Sequence, residues 1–280
     1  MDTTIALVTG ANKGIGFETA RQLGARGVTV LIGARDEARG TAAERALRDG
    51  LRDLRGSADV RFVPLDVTDA SSVREAAGWI EKEYGRLDIL VNNAGIAVGG
   101  GPPSETDLEA MREVFQTNVF GVIMVTNAML PLLRRAAAAR IVNVSSEVGS
   151  IAAMTDPGSP LAQMPAGLAY PSSKTALNMI TALYAKELRD TPIKVNAANP
   201  GYTGRISTAI ADSVRPRRAR RSACGWPLWT LPAPPAPCGA TRGAPKAPTA
   251  PSPGRDSHDH EDFTVCADCE VFVIMKFCGF

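Results

Sequence analysis

Six short runs of apolar residues recur along the first 200 residues, and amphipathic stretches with helical periodicity separate them. The runs are mostly continuous valine, isoleucine and leucine, which is typical of strands buried on both faces of a parallel sheet. We predict strands at 4–9, 28–33, 60–65, 87–92, 140–145 and 193–198. We predict helices at roughly 14–26, 36–54, 69–84, 104–135 and 169–190. The fourth of these helices is expected to be broken in two.

This alternation predicts the architecture of residues 1–204. Repeated strand–helix–strand units have right-handed crossovers, so they build a doubly wound parallel sheet with helices on both faces. Ligands bind such sheets outside the carboxyl ends of the strands. The predicted fold class is therefore α/β, a Rossmann-type domain with about six strands.

The turn between the first strand and the first helix is the first candidate site. Gly10, Gly14 and Gly16 leave the backbone open to a ligand, and the N–H groups of a helix N-terminus favour an anion. Their G-x-x-x-G-x-G spacing differs from the commonest dinucleotide fingerprint, so a plain tight turn is the alternative. We assign three further residues of this turn to cofactor binding: Asn12, Lys13 and Ile15.

The end of the second strand bears on the choice of cofactor. An NAD site usually places an acidic residue here to hold the ribose hydroxyls. Ala34 and Arg35 occupy that place instead, followed by Asp36. Arg35 suits a ribose 2′-phosphate and Lys13 adds a second cation, so we predict NADPH rather than NADH. The alternative is that both cations are ordinary solvated side chains.

The next two strands also end in candidate ligand contacts. Asp66, followed by Val67, is placed to accept a hydrogen bond from an adenine amino group. Equally, Asp69 could cap the following helix. The segment after the fourth strand offers an amide that braces neighbouring strands, and small residues beside a flat ligand: Asn92, Ala94 and Gly95.

The last two predicted elements carry a candidate acid–base group. The fifth strand ends in Ser145 and Ser146, and the final helix opens with Tyr170 and Lys174. At i and i+4 the phenol and the ammonium share one helix face. A free tyrosine has a pKa of about 10, and a neighbouring cation would lower that pKa. Taken alone, such a pair is more often an ordinary surface feature than a catalytic pair.

Together these residues resemble the classical short-chain dehydrogenase/reductase family, most of all its carbonyl-reductase branch. The resemblance covers residues 3–204, and its motifs come in the family's order and near its spacing. The motifs are Asn118 and the segments 9–16, 92–95, 145–146, 170–174 and 200–201.

The resemblance implies an NADPH-dependent reduction of a ketone or aldehyde on a small molecule. Tyr170 would donate a proton to the carbonyl oxygen while NADPH delivers hydride to the carbon. Ser146, rather than Ser145, would hydrogen-bond the substrate oxygen. Lys174 would hold the nicotinamide ribose and lower the tyrosine pKa, and Asn118 would anchor a water that passes protons to Lys174. The resemblance also assigns cofactor contacts to Tyr170, Lys174, Pro200, Gly201 and Thr203.

One internal segment departs from the family pattern. The 23 residues between Ser146 and Tyr170 exceed the spacing in most relatives. The extra stretch, residues 155–165, is proline-rich and is expected to lie beside the mouth of the site. In the carbonyl-reductase branch a longer insertion covers the helix face that most relatives use for tetramer assembly. We therefore expect a monomer or a weak homodimer.

The composition changes near residue 205. All five cysteines and both histidines follow residue 220, and ten of the twenty prolines lie in the last 76 residues. Such a mixture of Arg, Ala, Pro and Gly is typical of a GC-rich gene read out of frame. We therefore predict that 205–280 is a non-family tail, disordered at least to residue 255, that replaces the family's substrate lid and seventh strand. Reading the gene in its other two frames tests the frameshift hypothesis.

The end of the tail contains two features, a set of possible metal ligands and an apolar run. Two pairs of possible metal ligands, His258 with His260 and Cys266 with Cys269, stand near the spacing of metal sites. We interpret them as a chance cluster and expect no bound metal. The apolar run 271–277 reads as a lone strand that could cover the sheet edge or promote aggregation.

Composition also limits the partners. With 31 basic and 29 acidic residues, the chain offers no electrostatic reason to bind nucleic acid or an anionic membrane. No apolar run approaches about 18 residues, and the N-terminus does not resemble a signal peptide. We expect a cytoplasmic protein with a small-molecule substrate. The alternative function is a catalytically silent nucleotide-binding protein without a substrate lid; a purely structural domain would leave Tyr170 and Lys174 unexplained.

Overall fold

The computed structural model describes residues 3–52, 59–165 and 167–200, and the statements below concern these ranges. The predictions for Gly201, Thr203 and the whole of 205–280 lie outside the described residues. These include the metal-like pairs and the run 271–277.

Six parallel strands form one sheet in the order β3-β2-β1-β4-β5-β6. The strands are β1 Ile5–Thr9, β2 Thr29–Ala34, β3 Val60–Pro64, β4 Ile89–Asn92, β5 Arg140–Val144 and β6 Lys194–Ala198. Every strand pairing is parallel. The predicted α/β, Rossmann-type fold is confirmed. The strand order reverses between β1 and β4, where doubly wound sheets bind their ligands.

Seven α-helices connect and cover the strands. They are α1 Gly14–Ala25, α2 Glu37–Leu51, α3 Ala70–Tyr84, α4 Leu108–Phe115, α5 Gly121–Leu133, α6 Ile151–Thr155 and α7 Ala169–Glu187. Single 3₁₀ turns occur at Pro103–Glu105, Glu147–Gly149 and Pro160–Gln163. The short α6 and the last of these turns lie in or next to the stretch that was singled out as an insertion.

The fourth predicted helix is divided in two, into α4 and α5, but by a π-helical turn and not by an interruption of the helix. A π-helical turn, Gln116–Phe120, joins α4 to α5, so the helix continues from Leu108 to Leu133. Gly121 follows this turn and lies against the loop after β3, since a Cβ there would lie 2.9 Å from the carbonyl oxygen of Val67. The helix therefore bulges instead of ending.

The continuous helix Leu108–Leu133 is long and apolar enough, by length and composition, to cross a membrane. However, 56% of its most apolar window is buried inside the fold, as in the core helix of a soluble protein. This is weak evidence for a membrane span, and the expectation of no membrane partner stays a prediction.

Two apolar clusters fill the two faces of the sheet. Because successive strand residues point to opposite faces, neighbours such as Leu7 and Val8 belong to different clusters. The cluster around Leu7 extends to α3 and α5, and the cluster around Val8 extends to α1 and α2. Strands buried on both faces explain the continuous apolar runs.

Aspartates determine where α2, α3 and α4 begin. The Asp36, Asp69 and Asp107 carboxylates each accept a hydrogen bond from a backbone N–H in the first turn of the helix that follows. Such caps satisfy N–H groups that have no partner inside the helix. The capping role weighed for Asp69 is therefore confirmed.

Candidate active site and dinucleotide-binding site

The turn between β1 and α1 is tightly packed at two glycines and open at the third. A Cβ on Gly10 would lie 2.9 Å from the Cα of Ala94, and one on Gly16 would lie 2.4 Å from Asn93 Nδ2. Gly14, with a φ of 59°, would place its Cβ in open space. The turn therefore needs glycine for packing at two positions, while the third leaves room for a ligand.

Asn93, which is absent from our predicted set, holds this turn against β4. Its Nδ2 donates to the carbonyl oxygens of Thr9 at 2.8 Å and Gly10 at 3.2 Å. The Thr9 hydroxyl in turn accepts hydrogen bonds from the backbone N–H groups of Asn93 and Ala94. The sequence signal was the amide pair after the fourth predicted strand, of which only Asn92 was assigned.

Unlike α2, α3 and α4, helix α1 begins without a side-chain cap. Lys13 occupies the capping position, its side chain is exposed, and the first turn contains no acidic residue. Free N–H groups and the positive end of the helix dipole then favour an anion at this point. With Gly14 open beside it, this helix end fits the pyrophosphate of a dinucleotide; Asn12 and Ile15 lie half-buried in the same turn.

The acidic residue after β2 is already engaged. Asp36 accepts from the backbone N–H of Arg39 at 2.9 Å and lies 3.6 Å from the guanidinium of the same residue. Arg35 is exposed directly before it. The end of β2 therefore presents Arg35 and Arg39 beside a carboxylate that caps α2. Arg39 was missed, although its position one helical turn after Arg35 could have pointed to it.

Asp66 and Val67 shape the loop after β3. The Asp66 carboxylate accepts hydrogen bonds at Oδ1 from the Thr68 backbone N–H at 2.9 Å and the Thr68 hydroxyl at 2.7 Å. Val67 is buried and packs against Gly121, where a Cβ would approach its side chain to 3.1 Å. These contacts orient the Asp66 carboxylate, and the adenine contact stays a prediction.

Asn92 braces β4 against its neighbours, as expected. The side chain is buried, and its Nδ2 donates to Asn143 Oδ1 at 2.8 Å and to the Thr126 hydroxyl at 3.0 Å. Asn143 donates in turn to the hydroxyl of Thr181 at 2.9 Å. A buried polar chain therefore crosses from α5 through β4 and β5 to α7.

Asn118 clamps the segment after β4. It lies in the π-helical turn, fully buried, and its Oδ1 accepts from the Ile96 N–H at 2.8 Å. Its Nδ2 donates to the Ile96 carbonyl at 2.9 Å and to the Ser173 hydroxyl at 3.0 Å. Because both amide hydrogens are used within the protein, the Asn118 side chain has no N–H left to donate to a proton-relaying water. A Cβ on Gly95 would lie 3.3 Å from Asn118 Oδ1, so the close packing at this position in the segment after β4 favours a small residue.

The structure brings Tyr170, Ser146 and Lys174 together. Ser146 and Tyr170 interact through their side chains, and this interaction lowers the pKa of Tyr170. The Lys174 ammonium lies 5.4 Å from the centroid of the Tyr170 ring and donates to the carbonyl oxygen of Val144 at 2.8 Å. The first turns of α7 and the end of β5 thus supply a phenol, a hydroxyl and an ammonium at one place.

Burial is the main cause of the pKa shifts of Tyr170 and Lys174. It raises the pKa of Tyr170 above its ordinary value, and the interaction with the Ser146 side chain lowers that pKa by less. Burial also lowers the pKa of Lys174 to about 8. The net pKa of Tyr170 is thus raised, and the lowering of the tyrosine pKa by Lys174 stays a prediction. Tyr170 keeps its proton at neutral pH, as a proton donor must.

Ser145 and Ser146 have different surroundings. The Ser145 hydroxyl is buried and donates to Asn178 Oδ1 at 2.6 Å. The Ser146 side chain, in contrast, acts on the Tyr170 hydroxyl and lowers its pKa. The geometry agrees with the preference for Ser146 as the residue that meets the substrate oxygen. Pro200, the last described residue, is buried just after β6.

Comparison with known proteins is consistent with this geometry. The sequence profile of the short chain dehydrogenases matches residues 4–219, and so extends past the boundary predicted at residue 204. Short-chain dehydrogenase anuI of Penicillium roqueforti (strain FM164) is 39% identical over 207 residues, which cover 71% of this chain and 78% of the relative.

Two solved structures share the fold at similar levels of identity. A short-chain dehydrogenase of Shigella flexneri 2a complexed with NADP has a TM-score of 0.61 and 29% identity, covering 72% of this chain and 78% of its own. NAD⁺-bound xylitol dehydrogenase has a TM-score of 0.63 and 28% identity, covering 72% and 71%. Because the family profile spans most of the chain and the fold and motifs agree, the protein belongs to the classical short-chain dehydrogenase/reductase family of oxidoreductases, which use a nicotinamide cofactor.

Proposed function

We propose that the protein reduces a ketone or aldehyde carbonyl on a small molecule with NADPH, as a carbonyl-reductase-like member of its family. The observation that carries this proposal is the buried Tyr170 phenol, whose pKa burial raises and with which the Ser146 side chain interacts. A protonated phenol beside a second hydroxyl can bind a carbonyl oxygen and supply its proton. The protein is proposed to act in the cytoplasm, without nucleic-acid or membrane partners.

The residues of the site divide the work. Tyr170 donates the proton to the substrate oxygen, and Ser146 hydrogen-bonds that oxygen and so orients it. Lys174, with a pKa of about 8, carries its charge at neutral pH and holds the nicotinamide ribose. When bound, NADPH supplies the hydride that adds to the carbonyl carbon. Asn118 holds the chain after β4 in place around this site.

The choice of NADPH rests on the charges at the end of β2. Arg35 and Arg39 offer guanidinium groups to a 2′-phosphate, which charge-assisted hydrogen bonds favour. Asp36 caps α2 through Oδ1, and its Oδ2 lies 3.6 Å from the Arg39 guanidinium, so both carboxylate oxygens have partners within the protein. Lys13 adds a third cation at the open end of α1.

A fluorescence titration of the full-length protein with NADPH and with NADH tests cofactor binding first. Turnover on a panel of simple ketones and quinones then tests the reaction. We expect saturable binding with NADPH favoured, and turnover that Tyr170→Phe reduces by about a thousandfold, since that variant loses the proton donor but keeps the ring.

Two results would contradict this proposal. Binding without any turnover above background would instead support the alternative, a catalytically silent nucleotide-binding protein. A Tyr170→Phe variant as active as the wild type would show that the proton comes from another group. Cofactor binding by that variant is the control for its fold.

A further inference from the structure

One amide on α7 contacts the chain on both sides of Ser146. Asn178 Oδ1 accepts a hydrogen bond from the Ser145 hydroxyl at 2.6 Å. Its Nδ2 donates to the carbonyl oxygen of Gly149 at 3.3 Å. Ser145 precedes Ser146 at the end of β5, and Gly149 closes the 3₁₀ turn that follows it. The two bonds of Asn178 therefore bracket Ser146 within five residues of chain.

The same helix carries the group that Ser146 must meet. Tyr170, Lys174 and Asn178 are spaced four residues apart on α7, so their side chains follow one another along one helix face. The 3₁₀ turn rests directly on this helix, because a Cβ on Gly149 would lie 2.7 Å from the Lys174 carbonyl carbon. Thr175 adds a second bond to the Gly149 carbonyl at 3.0 Å.

Ser146 itself makes no side-chain bond to the turn it begins. It precedes Glu147–Gly149 in an extended conformation, and its side chain does not cap that turn. Its side chain instead interacts with Tyr170, whose pKa it lowers. The position of the Ser146 hydroxyl relative to the phenol thus depends on how the backbone around Ser146 is fixed to α7.

We propose that Asn178 is a positioning residue that holds the Ser146 hydroxyl against Tyr170 by fixing Ser145 and Gly149 to the catalytic helix. The proposal rests on the proposed function and adds a residue that the family motifs above do not include. Misplacement of a catalytic group by about 1 Å can cost a hundredfold in rate, and a site depends on the residues that support its catalytic groups. Asn178 does not touch the substrate in this role.

Kinetics of Asn178→Ala in the full-length protein are the first test. We expect kcat for carbonyl reduction to fall by about tenfold to a hundredfold, while the dissociation constant for NADPH stays at its wild-type value. Asn127→Ala is the matched control. Asn127 also hydrogen-bonds α7, accepting from the Tyr184 hydroxyl at 2.7 Å, but this contact does not involve the Ser146 segment. A wild-type kcat for Asn178→Ala would overturn the proposal.

A double variant separates positioning from general damage to the fold. If Asn178 acts through Ser146, then Ser146→Ala with Asn178→Ala has the same kcat as Ser146→Ala alone, because the positioned group is already gone. Effects that multiply would overturn the proposal. Ser145→Ala removes one of the two bonds without touching Asn178 and is expected to lower kcat in the same direction; it also decides the question if Asn178→Ala fails to fold.

A crystal structure of the Asn178→Ala or Ser145→Ala variant decides the question independently of turnover. We expect the Ser146 hydroxyl to lie further from the Tyr170 hydroxyl than in a wild-type crystal structure solved in parallel. An unchanged distance between the two hydroxyls would overturn the positioning role. An inactive wild-type protein would refute the proposed function, whereas this structural result would still decide the role of Asn178.

Discussion

At the scale of single residues, Lys174 shows that the candidate site lowers the stability of the folded protein. Lys174 is 5% exposed, and its ammonium donates to the Val144 carbonyl oxygen. Burying a charge costs free energy unless partners compensate, and here the pKa falls from 10.5 to about 8. The protein thus keeps a destabilising charge where the proposed chemistry needs it.

Lys174→Met should therefore stabilise the protein at pH 7 by about 1 to 3 kcal/mol while abolishing turnover. The folded protein binds fewer protons than the unfolded chain between pH 8 and 10.5, so wild-type stability rises with pH across that window. The advantage of the variant is thus full below pH 8 and shrinks as the pH rises to 10.5. Thermal denaturation across this range measures it.

Lys186→Met is the matched control for this experiment. Lys186 lies on the same helix but is exposed, so its replacement should leave stability nearly unchanged at every pH. A Lys174→Met protein less stable than the wild type at pH 7 would show that the bond to Val144 outweighs the cost of burial.

The second prediction at this scale concerns the effect of Arg35 on the choice between NADPH and NADH. Arg35→Asp should reverse the charge that meets the 2′-phosphate and lower the preference for NADPH over NADH by about tenfold or more. The ratio of kcat/KM for the two cofactors measures this. Arg45→Asp makes the same charge change at an exposed position further along α2 and is the control. An unchanged ratio for Arg35→Asp would contradict the assignment.

At the scale of elements, the sequence predicted the strands and the division of the long helix, but not the π-helical turn that divides it. Apolar runs identify strands buried on both faces, and all six are within two residues of their predicted ends. The bulge at Gln116–Phe120 has no such signal, because it depends on Asn118 reaching Ile96 and on Gly121 packing against the loop after β3. Such contacts between distant segments are not encoded in local periodicity.

The same limit applies to proton affinities at the site. The spacing of Tyr170 and Lys174 correctly placed both groups on one helix face. It could not show how strongly burial shifts the two pKa values, since burial depends on everything packed around these side chains.

The docking of the 3₁₀ turn on α7 gives a prediction at this scale. Gly149→Ala would place a methyl group 2.7 Å from the backbone of Lys174, so the turn must move away and carry Ser146 with it. We expect a loss of about 1 to 3 kcal/mol in the free energy of unfolding, together with a lower kcat. Urea denaturation and steady-state kinetics measure the two effects.

Gly78→Ala is the matched control in α3. A Cβ at that position meets nothing within 4 Å, so alanine should stabilise the helix by about 0.5 to 1 kcal/mol. If Gly149→Ala behaves like Gly78→Ala, the turn does not depend on close contact with α7.

At the scale of the whole molecule, we predict a monomer or a weak homodimer in solution. The stretch after Ser146 is built into the fold, since α6 and the turn Pro160–Gln163 lie in it and Leu161 is buried. Light scattering across a concentration series measures the mass, and a stable tetramer would contradict the prediction.

The C-terminal boundary of the family domain was harder to predict than the fold. The family profile runs to residue 219, whereas composition placed the boundary at 204.

The uncapped start of α1 has a consequence for how the protein is handled. A helix end that attracts a pyrophosphate also attracts the inorganic phosphate or sulfate of a buffer. These anions compete with the cofactor, so affinities measured in phosphate buffer underestimate those in a zwitterionic buffer of equal ionic strength. For the same reason, sulfate in a crystallisation solution should lower the occupancy of NADPH in soaked crystals. Both ligands would bind at the same position, beside Lys13 and Gly14.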